Sequence, residues 1–349
     1  FDSSAGPLGK SMILQLLPAS LPFAQVSDLA VGLDQIIEVV RRSCPPGTFF
    51  SYAYNIRALI ALVLVSLVCG AVGSLVVGGR LAFFSDALAH CAFAGVSIGF
   101  LLFTALVTQR RSESEFWQWV LPVMVLFGAL VGFGIAFVRS QTGLANDTVI
   151  GVFFAGAIGL AAMLNKLIRS RALFNMESFL FGDPGQVKTR ELILLVGLAV
   201  VTACTLAAIY NTLLLSGFNP SLARSRGLRV RLAQYAFVVL LALIVNMCLL
   251  WVGVLLINAL LVVPAAAVAN ISRNLRQMFW FTLALCFGVS LTGLFLSWEV
   301  AIWTWNPIQR KGDIELGISG TIVLLSVLAF IASMLFSRLE LRSRPRTTS

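Results

Sequence analysis

The sequence predicts an all-α, polytopic transmembrane helical bundle of about nine spans. Three observations carry that expectation. Charged residues make up 11% of the chain and the AVILMFWYC set 59%, with a mean hydropathy of +0.94, whereas a soluble domain carries roughly 25% charged residues. The few charges fall about one bilayer crossing apart. The loops they mark are basic: 25 Lys and Arg stand against 15 Asp and Glu, a net charge of +10. Such a chain is neither disordered nor a water-soluble enzyme, and its long apolar runs belong to helices, not barrel strands.

The opening FDSSAGPLGK is read as a processing remnant outside the fold. Residues 1–54 are expected to form an extracytoplasmic or interfacial segment. Their weakly apolar stretch is broken by Pro18, Pro22, Asp28, Asp34 and Glu38. The membrane domain is 55–337. Arg57 and Arg80 enclose 22 uncharged residues, Glu115 and Arg139 enclose 23, and Asp147 and Lys166 enclose 18. Arg276 to Glu299 and Glu315 to Arg338 enclose 22 each. Each run fits one helix across about 30 Å of hydrocarbon at about 1.5 Å per residue.

Two runs are longer. Glu191 to Arg224 holds 32 uncharged residues, with GFNPS at 217–221 ending the helix near Ser216. Arg231 to Arg273 holds 41, about 60 Å as one helix, so it divides into two passes turning near Trp251–Gly253. The predicted spans are 56–78, 82–107, 117–138, 148–165, 192–215, 232–251, 254–271, 278–298 and 316–337. Residues 338–349 form a basic cytoplasmic tail.

Loop charge sets orientation. The tail and loop 217–231, with Arg224, Arg226, Arg229 and Arg231, belong in the cytoplasm, together with Arg80, Arg139, Arg273 and Arg276. The net charge therefore needs no nucleic-acid partner. Loops 108–116 and 298–314 face outward, edged by Trp117, Trp119, Trp298, Trp303 and Trp305. Segment 166–190 falls outside by this count, against its own five basic residues. Five of the six cysteines lie in apolar runs and none forms a CxxC pair, so neither a disulfide framework nor a thiolate metal site is expected. Gly95/Gly99 and Gly128/Gly132 are GxxxG pairs, either close-packing points or ordinary membrane-helix glycine. No GxxxxGK[ST] loop is present, so ATP hydrolysis is not expected on this chain.

One place carries chemistry. His90 is the only histidine and follows Asp86 by four residues in FFSDALAHCAFAGVSIG. That spacing puts both groups on one helix face, in a span where ionisable groups are costly and face a cavity or partner. Imidazole and carboxylate suit Zn²⁺, Mn²⁺ or Fe²⁺. A packing hydrogen bond and a proton relay use the same pair. Two facing copies of the helix would supply four ligands, which one chain cannot. Asn146, Asp147, Asn246 and Asn258 are further oxygen donors, each also readable as a packing or capping group; Asn146 or Asp147 suits the N-cap of the span that follows. In FNPSLARSRGLRVR, 218–231, Asn219 caps, Pro220 opens and Gly227 closes a short basic cytoplasmic helix, a docking element for a soluble partner or a plain basic loop.

These stretches together resemble the membrane permease subunit of bacterial ABC importers for zinc, manganese or iron, the ABC-3 metal-permease family, over about residues 55–337. SDALAHCAFAGVSIG matches the family's GDALSHAVLPGVALG block, and DTVIGVFFAGAIGLA its DTAIGILFSGALALG block. SFLFGDPGQV, 178–187, resembles a SYLFGN-type segment, and FNPSLARSRGL the FDPEFARALGI coupling segment. VGVLLINALLVVPAAAVANI, 252–271, resembles VGVLLVSALLVIPAATARLL, and GISGTIVLL the final PSGPTIVLL. Departures are Ser85 for the glycine before the Asp, Ala94 for a proline, Asn219 and Ser221 for acids, and GDIEL for the Asp-x-Pro before the last block.

The resemblance implies a type II ABC importer-like permease in the bacterial cytoplasmic (inner) membrane. Asp86 and His90 would be the metal residues. Asn219, Pro220, Ala223, Arg224 and Gly227 would form the ATPase-coupling segment. Implied partners are a second permease subunit (identical or a paralogue), two cytoplasmic ABC ATPase subunits and an extracytoplasmic metal-binding protein. No cofactor is tightly bound; the cargo is zinc or manganese, with iron also in the family's range. The chain itself is not an enzyme. Other classes consistent with the residues are a proton-coupled secondary transporter, an intramembrane enzyme using Asp86 and His90 for acid–base work, and a structural membrane subunit.

Overall fold

The structure is a computed structural model that describes residues 21–106, 113–167, 180–303, 305–306, 311–312 and 316–343. Its helices are α1 (Leu21–Ser43), α2 (Ala53–Gly78), α3 (Ala82–Leu106), α4 (Glu113–Thr142), α5 (Asn146–Leu167), α6 (Thr189–Phe218), α7 (Pro220–Ser225), α8 (Val230–Val252), α9 (Val254–Ala269), α10 (Leu275–Trp303) and α11 (Ile318–Ser343). A two-residue antiparallel pair, β1 (Trp305–Asn306) and β2 (Lys311–Gly312), lies between α10 and α11.

Among the described residues eight helices are long and apolar enough to span a membrane: α2 to α6, α8, α10 and α11. The predicted ninth pass, 254–271, corresponds to α9, which is apolar but too short to count among them. Its 16 residues reach about 24 Å, short of the roughly 30 Å of hydrocarbon a full span crosses. Several helices overrun their predicted ends. A terminal charge does not stop a helix, because it caps the end or extends to the interface. Glu191 is such a case: its Oε2 accepts from the Lys188 backbone N–H at 2.8 Å, and α6 starts at Thr189 instead of 192. The predicted α5 cap is offset, since the Ala145 carbonyl accepts the first bonds, from Thr148 and Val149. The tail expected from 338 begins as α11 helix, to Ser343.

The most buried long helices are α2 and α8. α2 packs on α6, α9 and α10, and α8 on α4 and α6; α3 packs on α4 and α5. Both GxxxG pairs sit at such seams. A Cβ on Gly95 would stand 2.9 Å from the Met124 Cα of α4, and one on Gly128 would stand 2.1 Å from Asn246 Nδ2 of α8. Small residues thus let backbones meet where hydrophobicity alone gives no drive. Ser66 and Ser290 join α2 to α10 by a buried 2.7 Å hydrogen bond, a contact type contributing about 0.6 kcal/mol. Outward, Leu126, Leu130, Phe133 and Phe137 form an exposed stripe on α4, and Leu324, Leu328, Ile331 and Leu335 one on α11. Both follow helical spacing, as lipid-facing surfaces should.

α1 is not one of the spans. Asp34 accepts from Thr189 Oγ1 at the start of α6 and lies 3.4 Å from Arg57 Nη2 near the start of α2. α1 is thereby tied to the end of the bundle where those helices begin. Its exposed Glu38 is held below the ordinary carboxylate range by hydrogen bonds from Arg42 and Arg41. At that end Trp298 meets Phe49 edge-on and Tyr52 and Tyr54 at a tilt, an aromatic cluster of the kind found at membrane interfaces. Segment 108–112, the side chains of Trp117, Trp119 and Trp305, and most of 166–179 lie outside the described residues, so the predictions made on them have no counterpart here.

Candidate metal site

α3 restarts the chain immediately after the α2 terminus, so Asp86 and His90 fall one and two turns into the helix. Buried Ser85 bonds back to the Ala82 carbonyl at 3.0 Å. That leaves Asp86 and His90 on the open side, their side chains 48% and 28% exposed. His90 Nδ1 lies 2.9 Å from the Asp86 backbone oxygen and 3.7 Å from Asp86 Oδ1. A carbonyl oxygen only accepts, so Nδ1 carries a proton, and in the neutral imidazole Nε2 is then the nitrogen with a lone pair for a ligand. Phe154 of α5 meets the imidazole edge-on at 5.1 Å and fixes its plane.

The third polar group comes from α9. Asn258 Nδ2 donates to Asp86 Oδ1 across 2.9 Å. Asn258 Oδ1 is buried and has no hydrogen-bond partner. A buried acceptor left empty costs about 1–3 kcal/mol, which a cation at this point would recover. Asn258 was readable from sequence only as one of several intramembrane polar residues. The others lie elsewhere: Asn246 packs on Gly128 and bonds the Ala242 carbonyl, while Asp147 is exposed in the first turn of α5. The side chain of Asn146 lies outside the described residues.

Asp86, His90 and Asn258 line one groove of about 680 Å³, walled by Phe83, Phe181 and Leu255. All three wall residues are exposed apolar side chains on the flank of the bundle. Phe181 reaches the groove because two backbones meet without side chains. Gly182 (φ +56°) and Gly253 (φ +87°) lie back to back, each where a Cβ would come within 2.6 Å of the other strand of chain. Ser319 of α11 donates to both carbonyls at this junction, Gly182 O at 3.5 Å and Val252 O at 3.4 Å. Three separated sequence blocks therefore converge behind the groove. Sequence reasoning missed this junction, although the positive-φ requirement shows as glycines in FGD and VGV.

Among the described residues no three His, Cys, Asp or Glu side chains stand close enough to hold a metal ion. Among the described residues the groove brings together one carboxylate, one imidazole and one carboxamide. The six cysteines are unbridged.

The segment 219–227 folds as the sequence predicts. Asn219 Oδ1 accepts from the Ser221 and Leu222 backbone N–H groups at 3.0 and 3.1 Å, and Pro220 opens α7. The Leu228 N–H returns to the Ala223 carbonyl, and Gly227 takes φ +73°. Ala223 is fully buried on the bundle side, whereas Leu222 and Arg224 are exposed.

Residues 51–337 match the ABC 3 transport family. The manganese import system permease protein ScaB of Streptococcus parasanguinis is 28% identical over 247 residues, covering 70% of this chain and 82% of that protein. The manganese transport system membrane protein MntC of Listeria innocua serovar 6a is 28% identical over 249 residues, covering 71% and 82%. Among solved structures, PsaBC from Streptococcus pneumoniae in complex with Fab superposes with a TM-score of 0.62 at 22% identity, covering 83% of this chain and 96% of that one.

Proposed function

The chain belongs to the ABC 3 transport family, and from that premise we propose that it is the membrane permease subunit of an ATP-driven importer of divalent metal ions in the bacterial inner membrane. The observation that carries this reading is the meeting of Asp86, His90 and Asn258 in one laterally open groove. Few ligands suit an ion that must leave again; a closed four-ligand cage would retain it.

A second permease chain facing the groove completes the shell and covers Phe83, Phe181 and Leu255. ATPase subunits dock on α7 through its exposed Leu222 and Arg224 and move the bundle through Ala223. An extracytoplasmic metal-binding protein delivers the ion at the end where α1 and the aromatic cluster lie. The cargo we infer is Mn²⁺. Two oxygen donors against one nitrogen is a hard set that favours manganese over zinc, and both curated relatives described above are named for manganese.

The reading is tested by uptake of radiolabelled Mn²⁺ into vesicles bearing the permease with its ATPase, with competing Zn²⁺ or Fe²⁺. ATP-dependent uptake in which excess unlabelled Mn²⁺ competes best is the expected result. Uptake driven by a proton gradient without an ATPase would replace the reading with a secondary transporter.

A further inference from the structure

The end of the bundle assigned to the cytoplasm by its charges holds a second polar cavity, of about 570 Å³, unrelated to the metal residues. It is framed by the last turns of α2, α4 and α6 and the first turns of α8. Two cations, Arg80 and Arg139, line it together with Ser74, Ser216 and Gln234, and no acidic side chain does. Neither guanidinium is in an ion pair or hydrogen bond among the described residues. Ser74 is 6% exposed and its hydroxyl is buried without a partner.

The position of Arg80 is also costly. α2 ends in a cap in which the Arg80 N–H bonds Val77 O and the Leu81 N–H bonds Val76 O, and Arg80 takes φ +54°. This is the left-handed cap position that glycine normally fills. An arginine there costs about 1–2 kcal/mol, and Gly78 and Gly79 lie just before it. The neighbouring wall is pinned by Ser140 Oγ on Tyr235 OH at 3.0 Å, which holds α4 to α8 beside Arg139 and Gln234.

From these features we propose that the cavity binds a phosphate group, with Arg80 and Arg139 as paired guanidinium forks and Ser74 and Gln234 as neutral donors. Guanidinium groups match phosphate oxygens bidentately. The apolar walls, Leu75, Leu213 and Phe237, suit the glycerol end of an anionic lipid, and basic pockets between helices on the cytoplasmic side take such headgroups. A free phosphate ester has the same chemistry. The occupant would cross-link four helix ends beside Ser216–Gly217, the root from which α7 projects.

The test is native mass spectrometry of the full chain released from bicelles of phosphatidylcholine with phosphatidylglycerol, and separately from neutral detergent with inorganic phosphate. One phosphatidylglycerol retained at energies that strip the other lipids is expected, and assigns a lipid. Retention of inorganic phosphate without lipid upholds the site and assigns a free anion. Arg80→Gly removes the guanidinium while relieving the left-handed backbone, so it should fold at least as well and retain at least tenfold less ligand; Arg139→Ala should do the same. Arg231→Ala, at the same end but outside the cavity, should retain wild-type occupancy. Equal retention by wild type and Arg80→Gly, or no preference for the anionic ligand over phosphatidylcholine, would overturn the proposal.

Discussion

Asn258 of α9 donates from Nδ2 to Oδ1 of Asp86 on α3 across 2.9 Å, and its own Oδ1 stays buried without a partner. One carboxamide thus orients the carboxylate and holds an oxygen in reserve beside it. Asn258→Ala should lower metal affinity about tenfold, the low end for loss of a group that supports a ligand. It should leave helix content unchanged. Transport KM for Mn²⁺, set against far-ultraviolet circular dichroism of the same preparation, checks this.

If the hard carboxamide oxygen tilts the site toward manganese, Asn258→His should tilt it toward zinc, because it replaces an oxygen donor with imidazole. The ratio of Zn²⁺ to Mn²⁺ inhibition constants in competition uptake should rise for this variant. An unchanged ratio would place metal choice elsewhere.

The Gly182–Gly253 junction should tolerate no side chain. Gly253→Ala puts a methyl group within 2.6 Å of the Phe181 and Gly182 backbone at φ +87°. Left-handed strain alone costs about 1–2 kcal/mol, before the clash. A lower Tm for Gly253→Ala than for Gly317→Ala, where no atom lies within 4 Å, is the expected comparison.

Asn219→Ala removes the side chain that accepts from Ser221 and Leu222, at a cost of about 1 kcal/mol. In a helix as short as α7, that loss should fray the proposed docking element. Less ATPase should co-purify with the variant, and metal-stimulated ATP hydrolysis should fall while the bundle keeps its Tm.

The bundle itself was legible in the sequence because charge is excluded from hydrocarbon. Arg57, Arg80, Arg139 and Arg273 mark span ends that the structure places within a few residues. Glu191 was misread as a boundary since its role is local: it caps α6 from inside the helix. α7 was legible to the residue, its signals of Asn219, Pro220 and Gly227 all lying within nine positions. Two of the three polar groups that meet in the groove, Asp86 and His90, are readable as one helix face from their spacing of four. Asn258 was not separable from Asn246, because the two differ only in what the folded chain places opposite them, Asp86 in one case and Gly128 in the other. Length alone puts the α8–α9 break near Trp251–Gly253, and the structure places it at Gly253. Its contact with Gly182 depends on two backbones meeting, which no local pattern records.

The most direct measurement is the initial rate of radiolabelled Mn²⁺ uptake by vesicles carrying the permease with its ATPase, comparing wild type with Asp86→Ala and His90→Ala at matched membrane levels. The metal route through the α3–α9 groove predicts a loss of about tenfold or more in each variant. Wild-type rates in both would contradict it.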